Sequence, residues 1–161
     1  MTTRLLFVCL GNICRSPAAE NIMRHLVSQA GLAQQILCDS AGTSNYHPGE
    51  PPDRRMQKVL ASYGIPVQGR ARQIRAADLA QFDLILAMDR DNFEDICALD
   101  PKGLYHSKVH LMGKYCRDPR WHNRDVPDPY YGGEAIFHEV VKMLWDGCEN
   151  LLAELRQTLE S

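Results

Sequence analysis

The sequence predicts an α/β protein in which helices cover both faces of a parallel sheet. Short apolar runs typical of buried strands alternate with segments of helical periodicity, and the first apolar run passes through a short loop into a helix. The length of 161 residues, with 45% apolar and 24% charged residues, is typical of one globular domain. We therefore expect a single three-layer domain over residues 1–161, with its ligand site at the carboxyl ends of the strands.

The first strand and the first helix have the clearest sequence signals. Residues 5–8 form a continuous apolar run, as in a strand that is buried on both faces. Residues 17–30 carry apolar side chains at helical spacing. Ser16 suits the N-cap of this helix, Pro17 its first position and Gly31 its C-terminal stop.

The rest of the chain continues the same alternation of strands and helices. The second strand is predicted at residues 36–38, and a polar loop follows from Ser40 to Pro52. The later predicted elements are a helix at 53–63, a short helix at 75–81, a strand at 83–88, a short helix at 91–98, a weaker strand at 108–112, an irregular segment at 113–132 and a last helix at 134–159.

Charge and hydropathy argue against several classes of partner. The formal net charge of −2 gives no general attraction to nucleic acid or to anionic lipid. The apolar run at residues 5–10 is too short to span a bilayer, and no small-residue cleavage site follows it. We expect a cytoplasmic protein with six reduced cysteines. The six histidines form no set at metal-ligand spacing, so we expect no metal and no other cofactor.

The loop between the first strand and the first helix has the composition of an anion site. Backbone N–H groups and the positive end of a helix dipole converge where a strand passes into a helix. Gly11 and Asn12 tolerate the positive φ angles that turn N–H groups inward, and Arg15 offers a fork of donors for two phosphate oxygens. Cys9 stands at the start of this field, where its thiolate is stabilised and Ser16 is able to donate a hydrogen bond to it. The pattern predicts a nucleophile placed for in-line attack on a bound phosphate.

A purely structural interpretation of the same loop is a buried apolar Cys9 and a surface Arg15. The Cys-x5-Arg spacing alone does not distinguish the two interpretations. The preceding strand, the Gly-Asn pair inside the loop and the Ser-Pro pair that opens the helix favour the catalytic interpretation.

This loop and several later stretches together resemble the low-molecular-weight protein tyrosine phosphatases. The resemblance extends over essentially the whole chain, with its motifs in the same order. The matching stretches are Cys-Leu-Gly-Asn-Ile-Cys-Arg-Ser-Pro at 9–17, Asp-Ser-Ala-Gly-Thr at 39–43, Gly-Arg-Ala-Arg-Gln at 69–73, Ala-Met-Asp at 87–89 and Asp-Pro-Tyr-Tyr at 128–131. The resemblance implies a four-stranded parallel sheet and a metal-independent, two-step phosphatase that acts on phosphotyrosine and small aryl phosphates.

The resemblance also implies a role for individual residues. Cys9 attacks the phosphate and forms a phosphocysteine, while Arg15 and the loop N–H groups hold the equatorial oxygens. Asp128 is the implied general acid: it protonates the leaving phenolate, whose conjugate acid has a pKa of about 10, and later accepts a proton from water. Ser40 is implied to support Asn12 by a hydrogen bond. The implied substrate-binding set is Leu10, Gly11, Asn12, Ile13, Cys14, Arg15, Ser16, Tyr46, Tyr130 and Tyr131.

Three features of this site leave alternatives open. Tyr46 stands where many members carry Trp, which keeps an aromatic wall but leaves the substrate preference open. Tyr130 and Tyr131 are an aromatic wall beside the phosphotyrosine ring, loop residues that cap the edge of the core, or phosphorylation sites. Cys14 is either a packing residue or the partner of Cys9 in a disulfide that prevents over-oxidation.

Three competing functions remain beside the tyrosine phosphatase. Arsenate reductases share the fold and the opening loop but need a close downstream cysteine pair, and Cys97 and Cys116 are nineteen positions apart. Protein-arginine phosphatases tend to carry Thr where Ile13 stands. A binding module that does not hydrolyse phosphate has no chemical need for Asp128. We therefore expect a monomeric enzyme acting on tyrosine-phosphorylated proteins, a tyrosine kinase among the candidates, with inorganic phosphate as product or inhibitor and no nucleic-acid or membrane partner.

Overall fold

A four-stranded parallel sheet lies at the centre of the part of the chain that the computed structural model describes, residues 2–160. Its order is β2-β1-β3-β4, and all three neighbouring pairs are parallel. The strands are β1 (Thr3–Cys9), β2 (Ile36–Gly42), β3 (Leu84–Ala87) and β4 (Val109–Leu111). The parallel sheet expected from the alternating pattern is confirmed. Strand β1 lies between β2 and β3.

The described helices follow the predicted order. The α-helices are α1 (Arg15–Gln29), α2 (Arg54–Ser62), α3 (Ala76–Gln81), α4 (Arg90–Ala98) and α5 (Glu134–Glu160), and two short 3-10 turns flank β4 at His106–Lys108 and Met112–Tyr115. Within residues 2–160, no helix combines the length and the hydropathy needed to cross a membrane.

The sheet is buried on both faces because successive residues of β1 point into two hydrophobic cores. Leu5 and Phe7 belong to the larger core, to which α1, α2 and α5 contribute. Leu6 and Val8 belong to the core on the other face, to which α3 and α4 contribute. None of these four side chains is exposed to solvent. The continuous apolar run thus predicted a strand between two layers of helices, as observed.

The start of α1 differs from the sequence prediction. The predicted N-cap was Ser16, but the helix begins at Arg15 and its N-cap is Cys14, whose side chain makes no capping hydrogen bond. The Ser16 hydroxyl instead lies 3.0 Å from the Cys9 sulfur. At the other end, Gly31 has a φ of +73°, which agrees with its predicted role as the stop of the helix.

The second strand is longer than the three predicted residues. Ser40, which the sequence suggested as the start of a loop, lies within β2 and pairs with Phe7. Gly42 ends β2 opposite Cys9, directly beside the loop that follows β1. A Cβ atom at Gly42 would lie 2.7 Å from the carbonyl oxygen of Leu10, so this position has no room for a side chain. The loop that follows β1 and the loop that follows β2 are therefore in contact where they leave the sheet.

Candidate active site

Three loops meet at the carboxyl edge of the sheet. The 9–15 loop follows β1 and the 43–52 loop follows β2. The 126–131 loop reaches the same edge through a 2.8 Å hydrogen bond from the Val126 N–H to the carbonyl of Met88, the first residue after β3. A cavity of about 310 Å³ opens between the loops and is lined by Cys9, Leu10, Gly11, Ile13, Cys14, Arg15, Tyr46, His47, Asp128, Tyr130 and Tyr131. An open parallel sheet binds ligands at this kind of position.

Most of the predicted site residues line this cavity, and three lie behind it. Asn12, Ser16 and Ser40 are buried, with 3%, 0% and 5% of their surface exposed. They do not line the cavity but are hydrogen-bonded to one another. The structure therefore brings every residue of the predicted set together: most of them line the cavity, and Asn12, Ser16 and Ser40 lie directly behind it.

Cys9 is buried at the end of β1, and its sulfur has two hydrogen-bonding neighbours. The Ser16 Oγ atom lies 3.0 Å from the sulfur, and the Asn12 N–H donates to it at 3.3 Å. Both groups are able to donate to a thiolate, the nucleophilic form of cysteine. The thiol also lies beside the N-terminus of α1, where the helix dipole favours negative charge.

Asn12 fixes the shape of the loop through its backbone and its side chain. Its φ is +58°, the left-handed conformation that the sequence predicted here. The side-chain amide donates to Ser16 Oγ at 2.8 Å and to Ser40 Oγ at 3.0 Å, so the contact that the resemblance implied is present. Its Oδ1 atom accepts from the Arg72 N–H at 3.0 Å. These bonds tie the loop to β2 and to the segment that carries Arg72.

A buried carboxyl group continues this network away from the cavity. Ser40 Oγ donates to Glu20 Oε1 at 2.6 Å, and Arg24 Nε donates to Glu20 Oε2 at 2.9 Å. Burial raises the pKa of Glu20, and the bonds from Ser40 and Arg24 only partly offset this. Sequence reasoning did not assign Glu20 a role. The spacing of Glu20 and Arg24 by one helical turn predicts an ion pair on α1. It does not indicate that this pair is connected to the 9–15 loop.

Arg15 is almost completely buried, with 3% of its surface exposed, and its guanidinium faces acceptors from two other segments. Its Nη1 atom donates to Asp89 Oδ2 at 2.6 Å and to the carbonyl of Val126 at 3.0 Å. The Nη2 atom lies 3.6 Å from Asp128 Oδ2. Burial lowers the pKa of Arg15, but the charges of Cys9, Asp89 and Asp128 and the bond to Asp89 outweigh this effect, so the pKa is raised overall. The guanidinium is therefore held in one orientation in its charged form.

Asp89 is a second residue to which sequence reasoning gave no role. It is the last residue of the matching Ala-Met-Asp stretch at 87–89, yet only the structure reveals its contact with Arg15, 74 positions away. Its other carboxylate oxygen accepts from the Asn92 N–H at 2.8 Å and caps α4. One carboxylate thus begins a helix and orients the buried guanidinium. In the sequence, an acidic residue between a predicted strand and a predicted helix indicates a helix cap, but not a contact with Arg15.

Asp128 lies on the 126–131 loop with its side chain 45% exposed. Its Oδ1 atom accepts a hydrogen bond from the Tyr130 N–H at 3.1 Å. Because Asp128 and Cys9 line the same cavity, a bound group is able to contact the carboxyl and the thiol together.

Aromatic side chains form the outer part of the cavity. Tyr46 and Tyr131 are 70% and 95% exposed, whereas Tyr130 is half-buried. The Tyr130 ring meets the Tyr131 ring edge-on at 4.9 Å between centroids, and it lies 6.2 Å from the His47 ring. His47, hydrogen-bonded to Glu50, was missed by sequence reasoning, although it directly follows Tyr46. The walls thus suit a flat ring attached to an anion that binds at the 9–15 loop.

Cys14 is buried beside the cavity as a free thiol. Burial raises the pKa of Cys14 far above its usual value, and the nearby charges of Asp53, Cys9 and Asp128 raise it further. Cys14 is therefore protonated at neutral pH, unlike a nucleophilic cysteine. Within residues 2–160, no three or more histidine, cysteine or acidic side chains are grouped in a way that could hold a metal ion.

Comparisons with known proteins identify relatives of this chain both in sequence and in fold. The family model described as low molecular weight phosphotyrosine protein phosphatase matches residues 4–161. A Synechocystis protein classed with the low molecular weight protein-tyrosine-phosphatases is 58% identical over 97% of this chain and 98% of its own. The human low molecular weight phosphotyrosine protein phosphatase is 41% identical over 94% of each chain. A crystal structure of a protein tyrosine phosphatase from Entamoeba histolytica, with Hepes in its active site, superposes with a TM-score of 0.92 at 44% identity and covers 98% of this chain and 99% of that one.

Proposed function

We infer the activity of this protein from its family: the chain belongs to the low molecular weight phosphotyrosine protein phosphatases. We propose that it hydrolyses phosphotyrosine in proteins, and small aryl phosphates, through a phosphocysteine intermediate. One observation supports this proposal above the others. A cysteine thiol, a buried guanidinium and a carboxyl group line one cavity at the carboxyl edge of a parallel sheet.

In the first proposed step, the Cys9 thiolate attacks the phosphorus atom of the bound ester. The new S–P bond forms as the P–O bond to the aryl group breaks, and Asp128 gives its proton to the departing phenolate oxygen. The products of this step are a free phenol and a phosphocysteine. The Ser16 hydroxyl at 3.0 Å and the Asn12 N–H at 3.3 Å support the thiolate before the attack.

Arg15 and the backbone N–H groups from Leu10 to Arg15 are the proposed ligands of the equatorial phosphate oxygens. A guanidinium suits two such oxygens because its N–H groups diverge in one plane. The bonds that Arg15 makes to Asp89 and Val126 fix its orientation before substrate binds. Such preorganised donors stabilise charge in the transition state at little reorganisation cost.

In the second proposed step, water attacks the phosphocysteine. The Asp128 carboxylate accepts a proton from this water, the S–P bond breaks, and inorganic phosphate leaves with Cys9 again a thiolate. Inorganic phosphate therefore occupies the same anion site as the substrate and acts as an inhibitor. Each step uses only groups of this chain and water.

The cavity favours an aryl ester over the alternative substrates. Tyr46, Tyr130 and Tyr131 offer ring surfaces, and the apolar Ile13 lines the same cavity. A tyrosine-phosphorylated protein, such as a tyrosine kinase, is the proposed partner. We further propose that the protein acts in the cytoplasm, where a catalytic thiol stays reduced. We also propose that it acts as a monomer.

Cys14 supports an additional proposal about oxidation. A peroxide would oxidise Cys9 to a sulfenic acid and be reduced to water or an alcohol. The sulfenic acid would then condense with the Cys14 thiol, releasing water and forming a disulfide that a reducing thiol reverses. The position of both cysteines on one short loop, with both lining one cavity, supports this protective role.

Phosphate release from matched phosphopeptides tests the proposed function. We expect release from a phosphotyrosine peptide, and much slower release from phosphoserine and phosphoarginine peptides of the same sequence. An Ile13→Thr variant is the control for the arginine alternative, because protein-arginine phosphatases tend to carry Thr at this position. Faster release from phosphoarginine by the unmodified protein would refute the proposal. Binding of the phosphotyrosine peptide without any release would instead indicate a binding module.

A further inference from the structure

Arg55 contacts the wall of the cavity from outside. It lies in the first turn of α2, and its guanidinium carbon is 5.5 Å from the centroid of the Tyr130 ring and 4.7 Å from that of the Phe137 ring. Tyr130 lines the cavity, whereas Phe137 is fully buried in the larger core. Arg55 therefore connects a tyrosine of the 126–131 loop to the buried interior.

Asp53 holds this guanidinium in place. Arg55 Nε donates to Asp53 Oδ1 at 3.2 Å and Arg55 Nη2 donates to Asp53 Oδ2 at 3.0 Å. The same carboxylate caps α2 by accepting from the Arg55 N–H at 2.8 Å. In turn, the Asp53 N–H donates to the carbonyl of Ile13 at 2.8 Å, within the 9–15 loop. The guanidinium plane is thus fixed relative to the loop that carries the nucleophile.

Tyr130 carries the effect onward to the carboxyl group. Its N–H donates to Asp128 Oδ1 at 3.1 Å, so a shift of Tyr130 also moves the Asp128 side chain. A guanidinium that stacks on an aromatic ring restrains that ring, and its planar fork binds a carboxylate at the same time. A lysine ammonium cannot satisfy both contacts in this geometry.

We propose that Arg55 is a positioning residue: it holds Tyr130 against the cavity and, through Tyr130, sets the position of Asp128. This inference rests on the proposed function, because it concerns the proton donor of that reaction. Arg55 itself does not line the cavity and touches no reacting atom. A merely structural role, as a surface ion pair with Asp53, predicts a change in stability without a change in proton donation.

The test compares Arg55→Ala with Arg54→Ala on two substrates. Arg54 is the neighbouring exposed arginine on α2 and does not line the cavity. Phenyl phosphate has a poor leaving group that needs the acid, and 4-nitrophenyl phosphate has a good one that needs it less. We expect Arg55→Ala to lower kcat/KM about fivefold to tenfold with phenyl phosphate and less with 4-nitrophenyl phosphate. Arg54→Ala should leave both values unchanged, and Arg55→Lys should recover only part of the loss.

A double variant isolates the route through Tyr130. If Arg55 acts through that ring, adding Arg55→Ala to Tyr130→Leu should cause no further loss on phenyl phosphate. Additive losses, equal losses on both substrates, or equal effects of Arg55→Ala and Arg54→Ala would each overturn the inference. Thermal denaturation checks that each variant is folded at the assay temperature, and Arg55→Lys replaces Arg55→Ala if the alanine variant is not. An unmodified protein that hydrolyses neither substrate overturns the proposed function itself, whereas an active protein with unresponsive Arg55 variants overturns only this inference.

Discussion

Asp128 is the residue whose contribution depends most on the chemistry of the substrate. Its half-exposed carboxyl lines the cavity with Cys9, and its only role in the first proposed step is to protonate the leaving oxygen. The Asp128→Asn variant keeps the size of the side chain but has no proton to give. We expect kcat/KM, which reports the first step alone, to fall by roughly 10²–10⁴ for phenyl phosphate and far less for 4-nitrophenyl phosphate. Steady-state rates on both esters measure this, and an equal loss on both would remove Asp128 from the acid role.

Single residues also show where sequence reasoning reached the site and where it stopped. Cys9, Asn12 and Arg15 were predictable because a strand, a loop and a helix in succession place them at one point. Asp89 was not, because nothing local connects it to Arg15 across 74 positions. Arg55 reaches Tyr130 in the same way, through the packing of distant segments.

Among the elements, α2 depends most clearly on one side chain for its start. Asp53 caps α2 and binds the guanidinium of Arg55. Burial raises the pKa of Asp53, but the hydrogen bonds and the charge of Arg55 lower it more, so the net shift is downward. A carboxyl whose pKa is lower in the folded state stabilises the fold above its unfolded-state pKa, and this stability is lost as the pH falls through the folded value.

The Asp53→Ala variant tests this cap. We expect its free energy of unfolding to be lower than that of the unmodified protein by about 1 kcal/mol at neutral pH. Urea denaturation at neutral and acidic pH measures the difference, which should shrink below the ordinary aspartate pKa of 3.8. Asp53→Asn is the matched control, since Asn still caps a helix but carries no charge. A difference that stays constant with pH would contradict the role assigned to the charged carboxylate.

The boundaries of the elements show why local rules were insufficient near the site. Ser16 has the sequence preference of an N-cap, but its hydroxyl is bound by the Cys9 sulfur and the Asn12 amide instead. Ser40 is polar and so was interpreted as loop, yet it pairs with β1 and bonds to buried Glu20. In both cases a buried polar partner from another segment outweighs the local propensity. Elements distant from the site, such as α5, followed the predicted pattern closely.

For the whole molecule, three separate segments of the chain form the cavity around the proposed anion site, so the site exists only in the folded state. A ligand that binds only the native state stabilises it by an amount that grows with concentration, about 2.7 kcal/mol at a hundredfold excess over Kd. We therefore expect inorganic phosphate to raise the midpoint of thermal denaturation relative to chloride at equal ionic strength. The Arg15→Ala variant is the comparison, because it lacks the proposed phosphate ligand. The same upward shift in that variant would indicate that phosphate stabilises the protein elsewhere.

The most direct test of the account is hydrolysis of 4-nitrophenyl phosphate by the unmodified, freshly reduced protein and by Cys9→Ser, both in the presence of a chelator. The proposed steps require only a thiolate, a guanidinium, backbone N–H groups and a carboxyl. We therefore expect turnover in the unmodified protein to persist with the chelator and to be lost in Cys9→Ser. Loss of turnover on chelation, or undiminished turnover in Cys9→Ser, would contradict a cysteine-dependent mechanism of this kind.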